Sequence, residues 1–397
     1  MRDVLEPLLD WWRAGRTVGV GTVVATYRSA PRPAGATMVV GPGDTVFGSV
    51  SGGCVEGAVF DLATTAIESG RGTLQRYGIS DDDAFAVGLT CGGILDVWVE
   101  PVSQETFPEL AEVADLVARD RPVAIATVIR HDEADVIGRR IIVRLSEAAG
   151  GYEGQGSLGS PGLDAAVVRA AESLLGSGAS AVVTTGIEGR PGEEVDIFIH
   201  VLASRPRMIV VGAIDFAAAM SRVGRLLGYD VTVVDARPVF ATTERFPAAD
   251  SVVVDWPHRY LRAEYDAGRL DDRSAIVVLT HDPKFDVPAL EVALRLSDVG
   301  YVGAMGSRRT HEDRTARLLE AGLVREELAR LASPIGLDLG ARTPEETAVS
   351  IAAEIIARRH GGTGASLSRS GGPIHHGGGR LEPGDWVSDE CKIQKLT

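Results

Sequence analysis

The sequence predicts an α/β protein. A mixed α/β (α+β) unit over residues 1–204, with a possible internal split near 100–120, precedes a doubly wound parallel-sheet domain over residues 205–360. Three observations carry the prediction. Beyond Ser204-Arg205-Pro206, β-rich apolar runs alternate with helical patterns, as strands covered on both faces by helices require. Before that boundary strand and helix patterns are interrupted by glycine clusters. The stretch Gly48–Gly57, GSVSGGCVEG, carries a cysteine from a glycine loop into a helical pattern and organises the first unit.

In order along the first unit, Leu5, Leu8, Leu9 and Trp12 share a face and predict a docking helix, with Trp11 and Trp12 as core. Thr17–Tyr27 alternates as a strand in which Gly19 and Gly21 admit a close neighbour. The proline-rich run Arg28–Gly35 is a loop, and Thr37–Val40 and Thr45–Gly48 are short strands. Val55, Ala58, Val59, Leu62, Ala63, Ala66 and Ile67 form one helical face that Gly70 ends. A strand at Thr73–Tyr77, an acidic loop at Asp81–Asp83 and a second glycine-cysteine cluster, Gly88–Gly93, lead to a strand at Ile94–Val99. From there the pattern gives a helix at Glu105–Arg119, strands at Val123–Ile129 and Arg140–Leu145, and a glycine-rich loop at Gly150–Gly162. A helix at Leu163–Leu175 and strands at Ala181–Thr184 and Val195–Val201 follow, with no chemistry concentrated among them.

In the second domain the strands are Met208–Val211, Val231–Asp235, Ser251–Asp255, Ala275–Thr280 and Tyr301–Ala304. Helices follow the first strand, start near Pro288 and at Ser307, and end the domain from Pro344, where Thr343 and Glu346 make a capping box. Residues 361–397 are Gly-rich, contain His375, His376 and Cys391, and read as a poorly ordered tail.

Composition excludes several classes. A hydrophobic share of 45% with 24% charged residues is globular. Forty basic against 55 acidic residues, net −15, oppose general binding to nucleic acid or anionic membrane. No apolar run approaches the ~20 residues of a membrane span, and Met1-Arg2-Asp3 opens an amphipathic stretch rather than a signal peptide. Three cysteines make no disulfide framework, and a cytoplasmic location is expected.

The candidate chemistry sits in loops. Ser51, Gly52 and Gly53 before a helix should aim several N–H groups at one spot, with the helix dipole behind them, so an anion should bind there. Such a helix start favours thiolate, which places Cys54 as a reactive or ligating sulfur; the alternative is a small apolar cysteine filling a tight turn. In the second domain, Gly212-Ala213-Ile214-Asp215-Phe216-Ala217 occupies the first turn of the sheet, where a dinucleotide fold has G-x-G-x-x-G/A. Gly212 and Ala217 fit, and Asp235 fits the ribose-binding acid. Ile214 puts a β-branched side chain where the backbone should approach a pyrophosphate, and Asp215 has the wrong sign for phosphate. Gly306-Ser307-Arg308-Arg309 combines a Ser N-cap with two arginines and predicts an anion site at the carboxyl edge, against a solvated helix start as the plainer reading. His281 and Asp282 are candidates for acid/base work or for a hydrogen-bonded turn.

The segments TYRSAPRPAGATMVV, GSVSGGCVEGAV and LTCGGILDVWVEP in the first unit resemble the XdhC/CoxI family. So do VVGAIDFAAAM, VTVVDARPVF, VVLTHDPKFD, YVGAMGSRR and PIGLDLGARTPEETAVSI in the second, and the resemblance runs over residues 10 to 360. It implies an XdhC/CoxI-type cofactor-binding unit followed by a Rossmann-like domain. Proteins of the family are accessory to molybdenum hydroxylases such as xanthine dehydrogenase and CO dehydrogenase: they bind the molybdenum cofactor, hold it during sulfuration and pass it to the apo-enzyme. A cysteine desulfurase as partner and a homodimer are further expectations. The resemblance implies cofactor contacts from Ser51, Gly52, Gly53, Cys54 and Glu56 and from Cys91, Gly92 and Gly93, with Cys54 reaching the molybdenum and Arg32 the phosphate. Gly212, Asp235, Gly306, Ser307, Arg308 and Arg309 would hold a nucleotide portion. Many members have G-A-G-H where this chain has Gly212-Ala213-Ile214-Asp215, which counts against NAD(P). Sequences of this kind also carry the name xanthine dehydrogenase, but this chain lacks Fe–S cysteine clusters and is too short for the molybdenum-binding subunit. The alternative function is an NAD(P)-dependent oxidoreductase or dehydrogenase-associated subunit, with Asp235 on the ribose and His281 as acid/base.

Overall fold

The computed structural model describes the chain apart from residues 28–31, 79–92, 147–149, 188–189, 370 and 372–397. Cys91, Gly92, His375, His376 and Cys391, singled out above, therefore lie outside the described residues. Two compact units result, one ending at Ser204 and one spanning Arg205–Gly371.

The first unit opens with α1 (Leu5–Arg13), followed by β1 (Val18–Tyr27), β2 (Thr37–Val40), β3 (Val46–Gly48), α2 (Glu56–Ser69), β4 (Thr73–Tyr77) and β5 (Ile94–Val102). These strands form an antiparallel sheet in the order β3-β2-β1-β5-β4. The close neighbour foreseen for Gly19 and Gly21 is α2. A Cβ on Gly19 would lie 2.6 Å from the Ala63 Cβ, and one on Gly21 would lie 2.6 Å from Val59 Cγ1. Gly70, at φ +69°, ends the helix by returning its N–H to the Ala66 carbonyl.

The chain continues through α3 (Leu110–Ala118), β6 (Val123–Arg130), β7 (Arg140–Leu145), β8 (Tyr152–Gly156), α4 (Pro161–Ser177), β9 (Ala181–Ile187) and β10 (Arg190–Leu202). A second antiparallel sheet forms, in the order β8-β7-β6-β10-β9. Two expectations need correction here. The helix expected from Glu105 begins only at Leu110, because Ser103 and Thr106 exchange side-chain to backbone hydrogen bonds and hold a separate turn before Pro108. The loop expected over 150–162 contains β8, an exposed edge strand with too few apolar residues to alternate visibly. Val24 and Trp98 of the first sheet meet Ile129 and Phe198 of the second in one buried cluster.

The second unit runs β11 (Arg207–Val211), α5 (Asp215–Leu226), β12 (Asp230–Asp235), β13 (Ser251–Val254), α6 (Pro257–Asp266), β14 (Ala275–Val278) and α7 (Pro283–Arg295). It ends with β15 (Tyr301–Ala304), α8 (Arg308–Glu320), α9 (Arg325–Leu328), β16 (Leu331–Ala332) and α10 (Pro344–His360). Its sheet is wholly parallel, ordered β13-β12-β11-β14-β15-β16, the doubly wound architecture the alternation predicts. Successive strand residues point to opposite faces. Met208, Val210, Val233 and Val277 pack with Met220, Ile351 and Ile355, while Ile209, Val211, Val234 and Ile276 pack with Leu261, Leu290 and Leu318. Thr343 and Glu346 cap α10 reciprocally, as read from sequence. Helix α7 starts at Pro283 rather than near Pro288, because the Asp282 carboxylate accepts the Lys284 N–H. Among the described residues no helix is long and apolar enough to cross a membrane.

Candidate functional site

The loop between β3 and α2 gathers Ser51, Gly52, Gly53, Cys54 and Glu56, and its geometry revises the anion expectation. Helix α2 begins at Glu56, not at Cys54. The spot at which the loop's donors converge exists, and the chain's own Glu56 carboxylate fills it. Oε1 accepts the N–H groups of Val50 at 3.2 Å, Ser51 at 2.9 Å and Gly52 at 3.0 Å, and the Ser49 hydroxyl at 2.6 Å. Oε2 accepts the N–H groups of Gly53 at 2.9 Å and Val55 at 3.2 Å, and the Ser51 hydroxyl at 2.6 Å. Burial works against the charged form, but the hydroxyls of Ser49 and Ser51 and the Ser51 N–H outweigh it and bring the Glu56 carboxyl down to about 2. The loop is thus an internally satisfied nest. Glu56, expected as a cofactor contact, is its clamp.

Two further constraints hold the loop. Gly48 has φ +78°, and a Cβ there would meet the Thr37 carbonyl oxygen at 2.2 Å. Val50 and Val55 are fully buried in the cluster of Val23, Met38, Val59 and Val97. Between these anchors Cys54 is half-buried at the edge of that cluster, and its N–H donates to the Ser51 hydroxyl at 2.9 Å. Gly52 and Gly53, at φ +84° and +118°, have open space where a side chain would project. Gly93 is buried at the start of β5. Arg32 lies in the β1–β2 connection near the Met1 ammonium, and its buried Nε has no partner among the described residues.

In the second unit, Gly212 (φ +110°) ends β11 against Thr280, whose Cγ2 would be 2.4 Å from an added Cβ. The glycine is needed for packing there, whatever binds nearby. Asp235, taken from sequence as the ribose acid, is 2% exposed and already paired. Its carboxylate accepts the Ala213 N–H at 2.8 Å and, from Arg237, the backbone N–H at 2.9 Å, Nε at 2.9 Å and Nη2 at 2.8 Å. Burial favours its neutral form, yet these donors win and hold it below the ordinary range. It therefore braces the β11–α5 turn. Asp215, nine-tenths exposed, opens α5 with Arg245 at 3.7 Å.

At the same edge, Ser307 caps α8 by accepting the Thr310 N–H at 3.1 Å. Arg308 and Arg309 are exposed and form no hydrogen bond or ion pair among the described residues. Asp282 is the N-cap of α7, which supports the turn reading of His281-Asp282 over acid/base work; His281 is exposed. Sequence reasoning missed a buried pair beneath this edge, Asp286 with Arg314 at 3.0 Å. Arg314 also donates to the Met305 carbonyl at 2.9 Å, and Asp286 Oδ1 lacks a partner among the described residues. Burial raises the Asp286 carboxyl to about 6 despite Arg314. Its signal was legible in principle: Asp286 shares a helical face with Ala289, Leu290 and Ala293, where a charge demands a partner.

Comparison with known proteins agrees with this architecture. The XdhC and CoxI family matches residues 11–78, and the XdhC Rossmann domain matches residues 208–355, together more than half of the chain. A Bacillus subtilis protein named as a probable subunit of xanthine dehydrogenase is 29% identical over 86% of this chain and 92% of its own. The Escherichia coli molybdenum cofactor insertion chaperone PaoD is 26% identical over 90% of this chain and 88% of its own. A crystal structure described as a xanthine dehydrogenase from Bacillus halodurans superposes with a TM-score of 0.65, covering 92% of this chain and 97% of that one; at 24% identity it speaks for the fold alone. With both family segments in place and in order, on the mixed unit and the parallel-sheet domain respectively, this chain belongs to the XdhC/CoxI family.

Proposed function

We propose that this chain is an accessory protein of a molybdenum hydroxylase. It binds the molybdenum cofactor, shields it while a cysteine desulfurase supplies the terminal sulfido ligand, and delivers it in the cytoplasm to an apo-enzyme of the xanthine dehydrogenase or CO dehydrogenase class. The working assembly in this reading is a homodimer. The observation that carries the reading is the clamped loop 49–55, which holds Cys54 on a rigid turn beside glycines with open space over them. Similarity to an insertion chaperone over nine-tenths of the chain supports it.

The residues fit such a group better than a bare ion. Among the described residues no three His, Cys, Asp or Glu side chains gather as a metal cage. A metal that arrives already held by a dithiolene needs at most one further protein donor, and Cys54 is of the soft type that suits it. Bound there, the cofactor supplies the metal and the pterin; the chain supplies a thiol, a fixed loop and shielding. In the second unit, Arg308 and Arg309 at the start of α8, without a partner among the described residues, are the groups we assign to phosphate binding.

The oxidoreductase alternative loses its ribose acceptor, because Asp235 is occupied by Arg237 and the Ala213 N–H. Anaerobic titration of the purified chain with molybdenum cofactor, NAD and NADP decides between the two. Cofactor binding with neither nucleotide bound in the micromolar range is the expected result. Micromolar NAD affinity without cofactor binding would overturn the proposal.

A further inference from the structure

The two sheets of the first unit have the same strand order with the same connections, and the agreement extends to individual residues. Each half runs helix, three strands, helix, two strands, from α1 to β5 and from α3 to β10. The pairing registers superimpose. Val18 faces Val102 as Val123 faces Leu202, and Thr22 faces Trp98 as Thr127 faces Phe198. Arg76 faces Asp96 as Thr184 faces Asp196. Met38 faces Gly48 as Ile141 faces Gly156.

Irregular features repeat too, and these are not dictated by strand order. A bulge falls at Val24 in β1 and at Ile129 in β6, opposite the step from Asp96 to Val97 and from Asp196 to Ile197. The Gly35 N–H donates to the Val23 carbonyl at 2.8 Å, and the Gly138 N–H to the Val128 carbonyl at 2.8 Å. A Cβ on Gly48 would strike the Thr37 oxygen, and one on Gly156 would strike the Arg140 oxygen at 2.5 Å. Gly70 ends α2 and Gly178 ends α4, both left-handed. The cluster between the sheets is built from matched pairs: Val24 with Ile129, Trp98 with Phe198, Leu74 with Val182 and Ala34 with Ile137.

Against this background the loops before α2 and α4 can be aligned residue by residue. Gly48-Ser49-Val50 corresponds to Gly156-Ser157-Leu158, and Val55-Glu56 to Leu163-Asp164. The shared residues make shared contacts. The Ser157 hydroxyl and the Leu158 N–H donate to Asp164 at 2.8 and 2.7 Å, as those of Ser49 and Val50 do to Glu56. The residues between differ. Ser160 caps α4 and Pro161 is its first residue, whereas Gly52 and Gly53 leave the corresponding turn unwound around the longer Glu56, with Cys54 where α4 has Gly162.

We infer that the first unit is a tandem pair of one half-unit, and that its cysteine loop is the copy specialised for binding. In it Glu56 is a positioning residue descended from the same structural acid as Asp164, while Gly52, Gly53 and Cys54 are the residues that make the loop functional. The assignment of binding to that loop rests on the function proposed above; the equivalence of the halves does not.

The test is an exchange in the full-length chain: Ser51→Gly, Gly52→Ser, Gly53→Pro and Cys54→Gly together, which installs the second loop in the first half. The chain is expected to melt within about 4 °C of wild type and to retain no more molybdenum cofactor than Cys54→Ser. A fall of more than about 10 °C, with Cys54→Ser unchanged, would show that the loops are not interchangeable and overturn the equivalence. For Glu56, iodoacetamide labelling of Cys54 should be severalfold faster in Glu56→Gln, nearer wild type in Glu56→Asp, and unaltered in Asp164→Asn. An unaltered rate in Glu56→Gln removes the positioning role. If wild type holds no cofactor, the function fails while melting and labelling still decide the repeat.

Discussion

The loops before α2 and α4 begin alike and part after a few residues. In the second half, Ser160 and Pro161 start the helix at once, and Asp164 accepts two donors. In the first half, two left-handed glycines delay the helix until Glu56, whose carboxylate collects the N–H groups that would otherwise have faced solvent or ligand. A glycine-rich loop at a helix start is therefore insufficient grounds for an anion site. The same donors serve a ligand or an internal acid, and a glutamate at the first helical position takes them. The comparison leaves a sulfur, not an anion hole, as what distinguishes the first loop.

The largest effect should come from features both halves share. Gly48→Ala and Gly156→Ala each force a side chain into a backbone oxygen at positive φ and should each cost roughly 3 kcal/mol or more. Chemical denaturation reads both, and a neutral Gly156→Ala would break the equivalence. Next come the features they do not share. Cys54→Ser should weaken binding of the molybdenum-loaded cofactor about ten- to a hundredfold, the scale of one strong contact. Gly162→Ser at the matching position should leave the same titration unchanged.

Acid sharpens the role of Glu56. Its carboxyl lies at about 2 in the fold against an ordinary 4.5, so its stabilisation is complete above about 4.5 and is lost as pH falls toward 2. Thermal melts of Glu56→Gln should start lower at neutral pH and lose less than wild type across that window. Parallel losses in the two proteins would mean that the carboxylate is not the clamp. The smallest effect is expected at the cap of α4. Ser160→Ala should cost about 1 kcal/mol and leave cofactor binding untouched. A binding defect in that variant would show that the second loop also takes part.

Local signals were readable from residues alone. Alternating β-rich runs and helices specified the parallel sheet, Thr343 and Glu346 the start of α10, and Gly70 the end of α2. GSVSGGCVEG marked the loop on which the proposed function rests, because glycine, cysteine and a following helical face declare themselves by spacing. What the residues left open was the destination of each polar group. Asp235 looks like a ribose acid until Arg237 is folded onto it, and Glu56 like a ligand contact until the loop closes around it. Asp286 and Arg314, from separate helices, meet only in the assembled domain.

The repeat was hidden for a related reason. Sheet register and bulge position are backbone geometry, and packing keeps them under volume-tolerant exchanges such as Val24 for Ile129 or Trp98 for Phe198, so few identities survive. The sequence by itself determined which segments become strands and helices and where glycine must stand, since those depend on neighbours in the chain. Tertiary structure decided that Glu56 fills the nest, that Arg237 occupies Asp235 and that two halves share one plan. Hydrogen-bond partners and strand registers are set by which groups meet in space, and no local pattern records them.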